Sequence, residues 1–253
     1  MRKRIAANLE FVGQLVELFA QTLRCTFSRP FYWRRVNEQI LEIGLGSLSI
    51  AVVIGIVMGL VMTLQFGYGL AKFGGTLYVP AIVSLSIVRE MAPIFTSLLV
   101  VGRVGSGIAA ELGAMNVTQQ IDAIRALGTD PVRVLVVPRF IASIITIPLL
   151  AVLAGFLGIM GGLFIAWLEF DMPPGFYINK VLSTMKLHDV LSGYIKCLFF
   201  ATVLSIIACW RGFHTKEGTR GVGEAATWVV VRSSIVILVS DFFLSKLLIL
   251  VLE

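Results

Sequence analysis

Five long apolar segments limit what this chain can fold into. They cover residues 43–65, 78–101, 140–167, 190–210 and 225–250. A helix needs about 20 residues to cross the hydrocarbon core of a bilayer, and each segment is that long. A chain with 57% hydrophobic residues, 14% charged residues and a mean hydropathy of +0.92 also lies outside the range of soluble domains. The sequence therefore predicts an all-α membrane protein with five transmembrane helices.

The N-terminal arm has a different pattern. Its apolar residues recur every three or four positions and form one stripe: Ile5, Leu9, Val12, Val16, Phe19, Leu23 and Phe27. A basic amphipathic helix of this kind lies flat in the headgroup region instead of crossing the bilayer. We predict an interfacial helix and its anchor in residues 1–36, broken at residues 28–30, and a transmembrane domain in residues 37–253.

The positive charges predict the orientation. Fourteen Lys and Arg residues fall in residues 1–36, 103–139 and 211–220. The segments on the other side carry four: Lys72, Lys180, Lys186 and Lys246. Cytoplasmic loops are enriched in Lys and Arg, so the N-terminus is expected in the cytoplasm and the C-terminus outside. This orientation suits a multi-pass protein of the inner (cytoplasmic) membrane.

A charged pair interrupts the second apolar segment. Arg89 and Glu90 separate two apolar runs of eleven residues, and Pro80 and Pro93 flank them. A charge at the centre of a membrane helix costs roughly 2.5–3.5 kcal/mol on insertion scales, so such residues face a bundle interior or a wet cavity. We expect Arg89 and Glu90 to form the chemically distinctive site of the chain.

A polar segment follows the second span and predicts a short helix at about residues 116–128. Asn116 is expected as its N-cap, with Gln119 in the capping-box position. The apolar residues Ile121, Ile124 and Leu127 share one face. Gly128 is expected just after the last turn, and Asp130-Pro131 prevents simple continuation.

The order of motifs in this region resembles a known family. The matching residues are Arg89-Glu90, Gly102-Arg103-Val104-Gly105-Ser106-Gly107, Ala110-Glu111-Leu112-Gly113, Gln120-Ile121-Asp122-Ala123 and Ala126-Leu127-Gly128-Thr129-Asp130-Pro131. This pattern is similar to that of the MlaE family of ABC-transporter permeases, the membrane subunits of phospholipid-trafficking, Mce-associated systems. Gln119 departs from it, because family members commonly carry Glu there.

The resemblance implies an ATP-driven phospholipid permease of a Gram-negative-type envelope. It implies a homodimer, two copies of an ABC ATPase subunit, a Mce-domain substrate-binding protein on the outer side and no nucleic acid. The short polar helix would be the coupling helix that docks on the ATPase. The expected ATPase contacts are Glu111, Met115, Gln120, Asp122, Arg125, Leu127 and Asp130. Residues 37–253 would then be the permease domain.

The expected lipid site combines the charged pair with the outer mouth of the bundle. An arginine pairs with phosphate in a bidentate manner and stays charged, which suits a lipid headgroup. Glu90 would hold or balance Arg89. The residues expected around the outer mouth are Gln65, Tyr68, Phe73 and Tyr78. The alternative is structural: Arg89 and Glu90 pair with other spans, or with Arg232 and Asp241. Lys196, near the outer end of the fourth span, is expected to snorkel to the interface.

Two other classes of function stay open from the residues alone. The chain could be an ATPase-independent channel or secondary carrier that uses Arg89 and Glu90 as a polar relay. It could also be a lipid-modifying enzyme, but the sequence contains no Walker motif, nucleophile–base motif or metal-binding spacing. We therefore expect no catalytic residue, no metal and no cofactor. Gly55 and Gly59 form a GxxxG pair, which permits a close helix contact, in a dimer or elsewhere.

Overall fold

The computed structural model describes residues 2–28, 32–216 and 218–252, with side chains described from residue 10 to residue 251 in those ranges. Part of the predicted break at residues 28–30, and the side chains of Ile5 and Leu9, lie outside what is described. The described chain is helical throughout and contains no strand. Its eight helices are α1 (Arg2–Thr26), α2 (Trp33–Ala71), α3 (Thr76–Val117), α4 (Gln120–Ala126), α5 (Val132–Phe170), α6 (Pro174–Thr184), α7 (Leu187–Phe213) and α8 (Gly218–Leu252).

Five of these helices, α2, α3, α5, α7 and α8, are long and apolar enough to cross a membrane. This confirms the predicted number of spans. Each of these helices extends beyond its apolar segment into turns that contain polar and charged residues, which hydropathy alone does not detect. Residues 66–71 continue α2 beyond the first apolar segment. Likewise, Arg211–Phe213 and Gly218–Glu224 are helical although they lie outside the apolar segments.

The helices form two compact units. Unit 1 contains residues 1–43, 100–145 and 201–236, and unit 2 contains residues 44–99, 146–200 and 237–253. In unit 1, α1 packs against the start of α5, where the rings of Phe19 and Phe140 lie 6.0 Å apart. In unit 2, α6 packs against the first turns of α3. Helix α6 lies between the third and fourth apolar segments.

The hydrophobic stripe of α1 remains partly uncovered. Val12, Val16, Leu23 and Phe27 keep 54%, 60%, 37% and 88% of their surface exposed. The opposite side of the helix buries Leu18 and Thr22. An exposed apolar stripe is what an interfacial helix needs in order to face lipid.

Close helix packing in unit 2 depends on glycines. A Cβ on Gly55 would lie 2.6 Å from the carbonyl oxygen of Ala154, and one on Gly59 would collide with the backbone of Gly158. Helices α2 and α5 thus approach each other backbone to backbone. The GxxxG pair of α2 makes an intrachain contact here.

Helix α3 is irregular at two places. Residues 87–91 and 101–105 form single π-helical turns, and the amide of Ala92 donates to the carbonyl of Ile87, five residues earlier. Pro93 has no amide hydrogen, so the carbonyl of Arg89 cannot receive the usual bond. Single π-turns occur frequently at functional sites. Pro148, by contrast, lies inside the continuous helix α5 and does not interrupt it.

The short polar helix differs from its prediction at one end only. Asn116 still belongs to α3 and donates a hydrogen bond to the backbone oxygen of Thr215 at 2.9 Å, so the predicted N-cap was wrong. Gln119 takes the left-handed conformation (φ 60°) before α4 and makes no capping bond with its side chain. Gly128 has φ 72°, and its amide donates to the oxygen of Arg125. The predicted glycine ending is confirmed.

Candidate functional site: a buried ion network

The charged pair of α3 faces one stripe of helix α7. Asp189, Gly193 and Lys196 follow one another at intervals of four and three residues, so they share a face of α7. A Cβ on Gly193 would collide with the carbonyl oxygen of Val88. Only a glycine allows α7 to approach the π-turn this closely. The approach places Asp189 and Lys196 beside Arg89 and Glu90.

Lys196 is the centre of the network. Its side chain is fully buried, and its ammonium group donates to the carboxylate of Glu90 and to Ser245 Oγ at 2.7 Å. Asp241 Oδ1 lies 3.2 Å away, as an ion-pair contact without hydrogen-bond geometry. These contacts join α3, α7 and α8. The expectation that Lys196 snorkels to the interface was wrong, because two carboxylates hold its charge inside unit 2.

Arg89 points to the other end of the stripe. Its Nη1 lies 3.5 Å from Asp189 Oδ1, and its side chain keeps 22% of its surface exposed. Asp189 is buried and also accepts a bond of 2.8 Å from the backbone amide of Lys186, at the start of α7. His188 Nε2 lies 3.5 Å from the same carboxylate. Arg89 is thus held by a fixed counter-ion while part of its guanidinium remains accessible.

The arrangement has both a structural and a chemical consequence. Burying a charge is expensive unless it is paired, and removing one partner of a buried pair typically costs about 3–5 kcal/mol. Glu90 and Asp241 therefore stabilise Lys196, and Asp189 stabilises Arg89. Of the two cations, Lys196 is enclosed by its partners and Arg89 is accessible. An anionic ligand that enters this region would meet Arg89.

Part of this network was anticipated. The structural alternative expected pairing with other spans and with Asp241, and Asp241 does belong to the network. Arg232 does not: its guanidinium lies over the ring of Trp228 in unit 1. The contributions of Asp189 and Ser245 were missed. Asp189 and Lys196 could have been found from their shared helical face, whereas a serine at position 245 carries no distinguishing signal.

The four residues expected at the outer mouth are all exposed. Gln65 and Tyr68 lie in the last turns of α2, Phe73 lies in the turn after it, and Tyr78 lies at the start of α3. The hydroxyl of Tyr68 donates to Glu169 Oε2 at 3.0 Å, and Lys180 Nζ lies 5.3 Å from the ring centre of Tyr78. These contacts join the residues to the ends of α5 and α6. Among the described contacts, none joins them to the Arg89–Glu90 turn.

The residues expected at the ATPase lie in unit 1. Gln120, Asp122, Arg125 and Leu127 are exposed on or beside α4, and Asp122 pairs with Arg125 at 3.0 Å. The apolar face of α4 ends at Ile124, because Leu127 is 83% exposed. Other members of the set contact the surrounding helices. Glu111 Oε2 lies 2.6 Å from Nη2 of buried Arg139, and Asp130 Oδ2 accepts a hydrogen bond of 3.4 Å from the Cys25 thiol. Met115 is half-buried.

The fold and the site define a class of protein: a multi-pass helical membrane protein with charges buried between its spans. The family model for "Permease MlaE" matches residues 36–247. A probable ABC transporter permease protein of Rickettsia typhi is 38% identical over 87% of this chain and 85% of its own. One from Synechocystis is 38% identical over 97% and 91%. The intermembrane phospholipid transport system permease protein MlaE of Haemophilus influenzae is 34% identical over 83% and 81%. The chain belongs to the MlaE permease family.

Proposed function

We propose that this chain is the membrane permease subunit of an ATP-driven transporter that moves phospholipids between the membranes of a Gram-negative-type envelope. The relative from Haemophilus influenzae is named as a phospholipid transport permease, which supports the substrate. The observation that carries the proposal is the arginine on the π-turn of α3. Arg89 combines a fixed charge and an accessible guanidinium, the features that a phosphate headgroup needs.

Each ion pair has its own role in this proposal. Lys196, Glu90 and Asp241 hold three spans together, and Arg89 binds the phosphate of the lipid. Asp189 keeps Arg89 in place when no lipid is bound and competes with the phosphate for it. Gln65, Tyr68, Phe73 and Tyr78 would contact the lipid as it enters or leaves on the outer side.

The energy would come from a partner. We propose that α4 and its flanking residues dock on an ABC ATPase, with the exposed pair Asp122 and Arg125 in the contact. Two permease copies would assemble with two ATPase copies and a Mce-domain protein on the outer side of the inner membrane. The chain itself would be non-catalytic, with its N-terminus in the cytoplasm, an interfacial elbow helix in residues 1–36 and the permease domain in residues 37–253.

The lipid role is tested with Arg89→Ala in proteoliposomes that contain the ATPase and Mce partners. Charge-assisted hydrogen bonds are worth about 1.5–3 kcal/mol, so we expect lipid transport to fall roughly tenfold or more while the ATPase remains bound. Lys72→Ala removes a charge outside the network and serves as the control. The double variant Arg89→Ala/Asp189→Asn removes both members of the pair and separates loss of lipid binding from an unpaired carboxylate. Transport that survives in both Arg89 variants would exclude the headgroup role.

The docking role is tested separately. The charge reversal Asp122→Lys/Arg125→Glu keeps the number of charges on α4 and should abolish co-purification of the ATPase. Arg220→Glu/Glu224→Arg reverses an exposed helix pair of similar geometry on α8 and is the control. If the α4 variant still binds the ATPase, the proposed contact is wrong. Lipid transport by the chain without nucleotide would favour a secondary carrier instead.

A further inference from the structure

An aromatic block lies where α7 ends and α8 begins in unit 1. The rings of Trp210 and Trp228 are 5.8 Å apart, and Phe11 of α1 meets both edge-on at 4.8 and 5.6 Å. The indole nitrogen of Trp210 donates to Gln14 Oε1 at 3.2 Å, and His214 stacks on the Trp210 ring at 4.5 Å. The block is therefore fixed from three helices.

Two arginines lie against one ring of this block. The guanidinium carbons of Arg211 and Arg232 are each 5.3 Å from the ring centre of Trp228, within the range of a cation–π contact. A guanidinium on an aromatic ring is positioned by that ring, while its N–H groups remain available for a bidentate acceptor. Trp228 thus presents two oriented guanidinium groups.

Neither arginine has a carboxylate partner among the described ion pairs. The Nε atom of Arg211 is buried and lacks a hydrogen-bond partner in the described part of the chain. The neighbouring Arg220, in contrast, pairs with Glu224 at 3.1 Å. Two guanidinium groups without a carboxylate leave the positive charge at Trp228 unbalanced, so the arrangement calls for an anion that meets their accessible N–H groups.

The surroundings indicate which anion. Unit 1 contains fifteen of the 21 Lys and Arg residues in its sequence ranges, which is the charge bias of a cytoplasmic membrane face. Tryptophan rings and arginines at the ends of membrane helices lie at the depth of the headgroups. Basic sites between helices on this side bind anionic lipid headgroups. A soluble anion would have to reach the same groups through the headgroup layer.

We propose that Arg211 and Arg232, held on Trp228, form a binding site for the phosphate of an anionic phospholipid in the cytoplasmic leaflet. The site is separate from the Arg89 network, and it does not depend on which substrate the protein transports. It would bind a resident lipid between α1, α7 and α8.

The test measures lipid binding to the purified, delipidated full chain. Native mass spectrometry in a nonionic detergent counts bound phosphatidylglycerol, with phosphatidylcholine as the zwitterionic comparison. A basic residue near an anionic surface contributes about 1 kcal/mol, so we expect the affinity for phosphatidylglycerol to fall roughly fivefold in Arg232→Gln and roughly thirtyfold in Arg211→Gln/Arg232→Gln. Phosphatidylcholine binding should not change.

The control is Lys216→Gln/Arg220→Gln, which removes two charges from the same region without touching Trp228. If both double variants lose the same affinity for phosphatidylglycerol, net charge explains the loss and the proposed site is wrong. Unchanged binding in Arg211→Gln/Arg232→Gln would also overturn the site. Displacement of the lipid by millimolar inorganic phosphate would identify a soluble anion instead. If the double variant fails to fold, Arg232→Gln decides, because this side chain is exposed: a fivefold loss supports the site and no loss overturns it.

Discussion

The sharpest prediction concerns Lys196→Met, which keeps an unbranched side chain that is shorter by one atom and removes its charge. Glu90 and Asp241 would then remain as two carboxylates without their common cation. Breaking a buried pair costs about 3–5 kcal/mol. Glu90 keeps 33% of its side chain exposed, and water partly compensates it, so we expect a loss near the lower limit, about 3 kcal/mol.

The assay is thermal unfolding of the purified chain in detergent. For a protein of this length, 1 kcal/mol corresponds to about 2–4 °C, so the melting temperature should fall by roughly 6–12 °C. Lys246→Met is the matched control, because Lys246 is exposed on the same helix as Asp241. Its melting temperature should change by no more than about 1–2 °C, since surface substitutions stay within about 0.5 kcal/mol.

A second comparison tests the electrostatic cause. Neutralising the two carboxylates as well, in Lys196→Met/Glu90→Gln/Asp241→Asn, should recover most of the lost stability, because the uncompensated charges are gone. If the losses of the three substitutions simply add, the charges do not interact. If Lys196→Met is as stable as Lys246→Met, Lys196 is not held as the structure indicates, and the reasoning fails.

Three further predictions concern helix contacts, a helix end and a thiol. Gly59→Ala should lower the melting temperature, because its Cβ collides with the backbone of Gly158 and overpacking costs about 1–3 kcal/mol; an unchanged value would contradict the close approach. Gly128→Ala should destabilise the end of α4 by about 1–2 kcal/mol, because Gly128 has a left-handed backbone conformation that a Cβ disfavours. Proteolysis at this position should therefore be faster than in the unchanged protein. Equal cleavage rates would argue against the left-handed conformation. Burial and the bond to the Asp130 carboxylate raise the pKa of the Cys25 thiol above its usual value of 9.0, so little reactive thiolate is present at pH 8. Asp130→Asn should lower that pKa and increase maleimide alkylation at pH 8; a slower reaction would contradict this assignment.

Much of the fold could be predicted because its causes are local. Five apolar segments and a glycine at a helix end are properties of neighbouring residues, and both predictions agree with the structure. The helix ends were predicted less well. Asn116 has the chemistry of an N-cap, but the preceding helix continues through it, because Thr215 supplies a partner for its side chain.

The sequence by itself determined that Arg89 and Glu90 lie within a span and must avoid the hydrocarbon core of the bilayer. Tertiary structure alone decided what they meet. Glu90 is 106 residues from Lys196 and 155 from Ser245, and hydropathy and periodicity carry no information over such separations. The pairing depends on how α7 is rotated and how closely it approaches α3. That approach requires the absence of a side chain at Gly193, because a single Cβ there would collide with the π-turn that carries the charges.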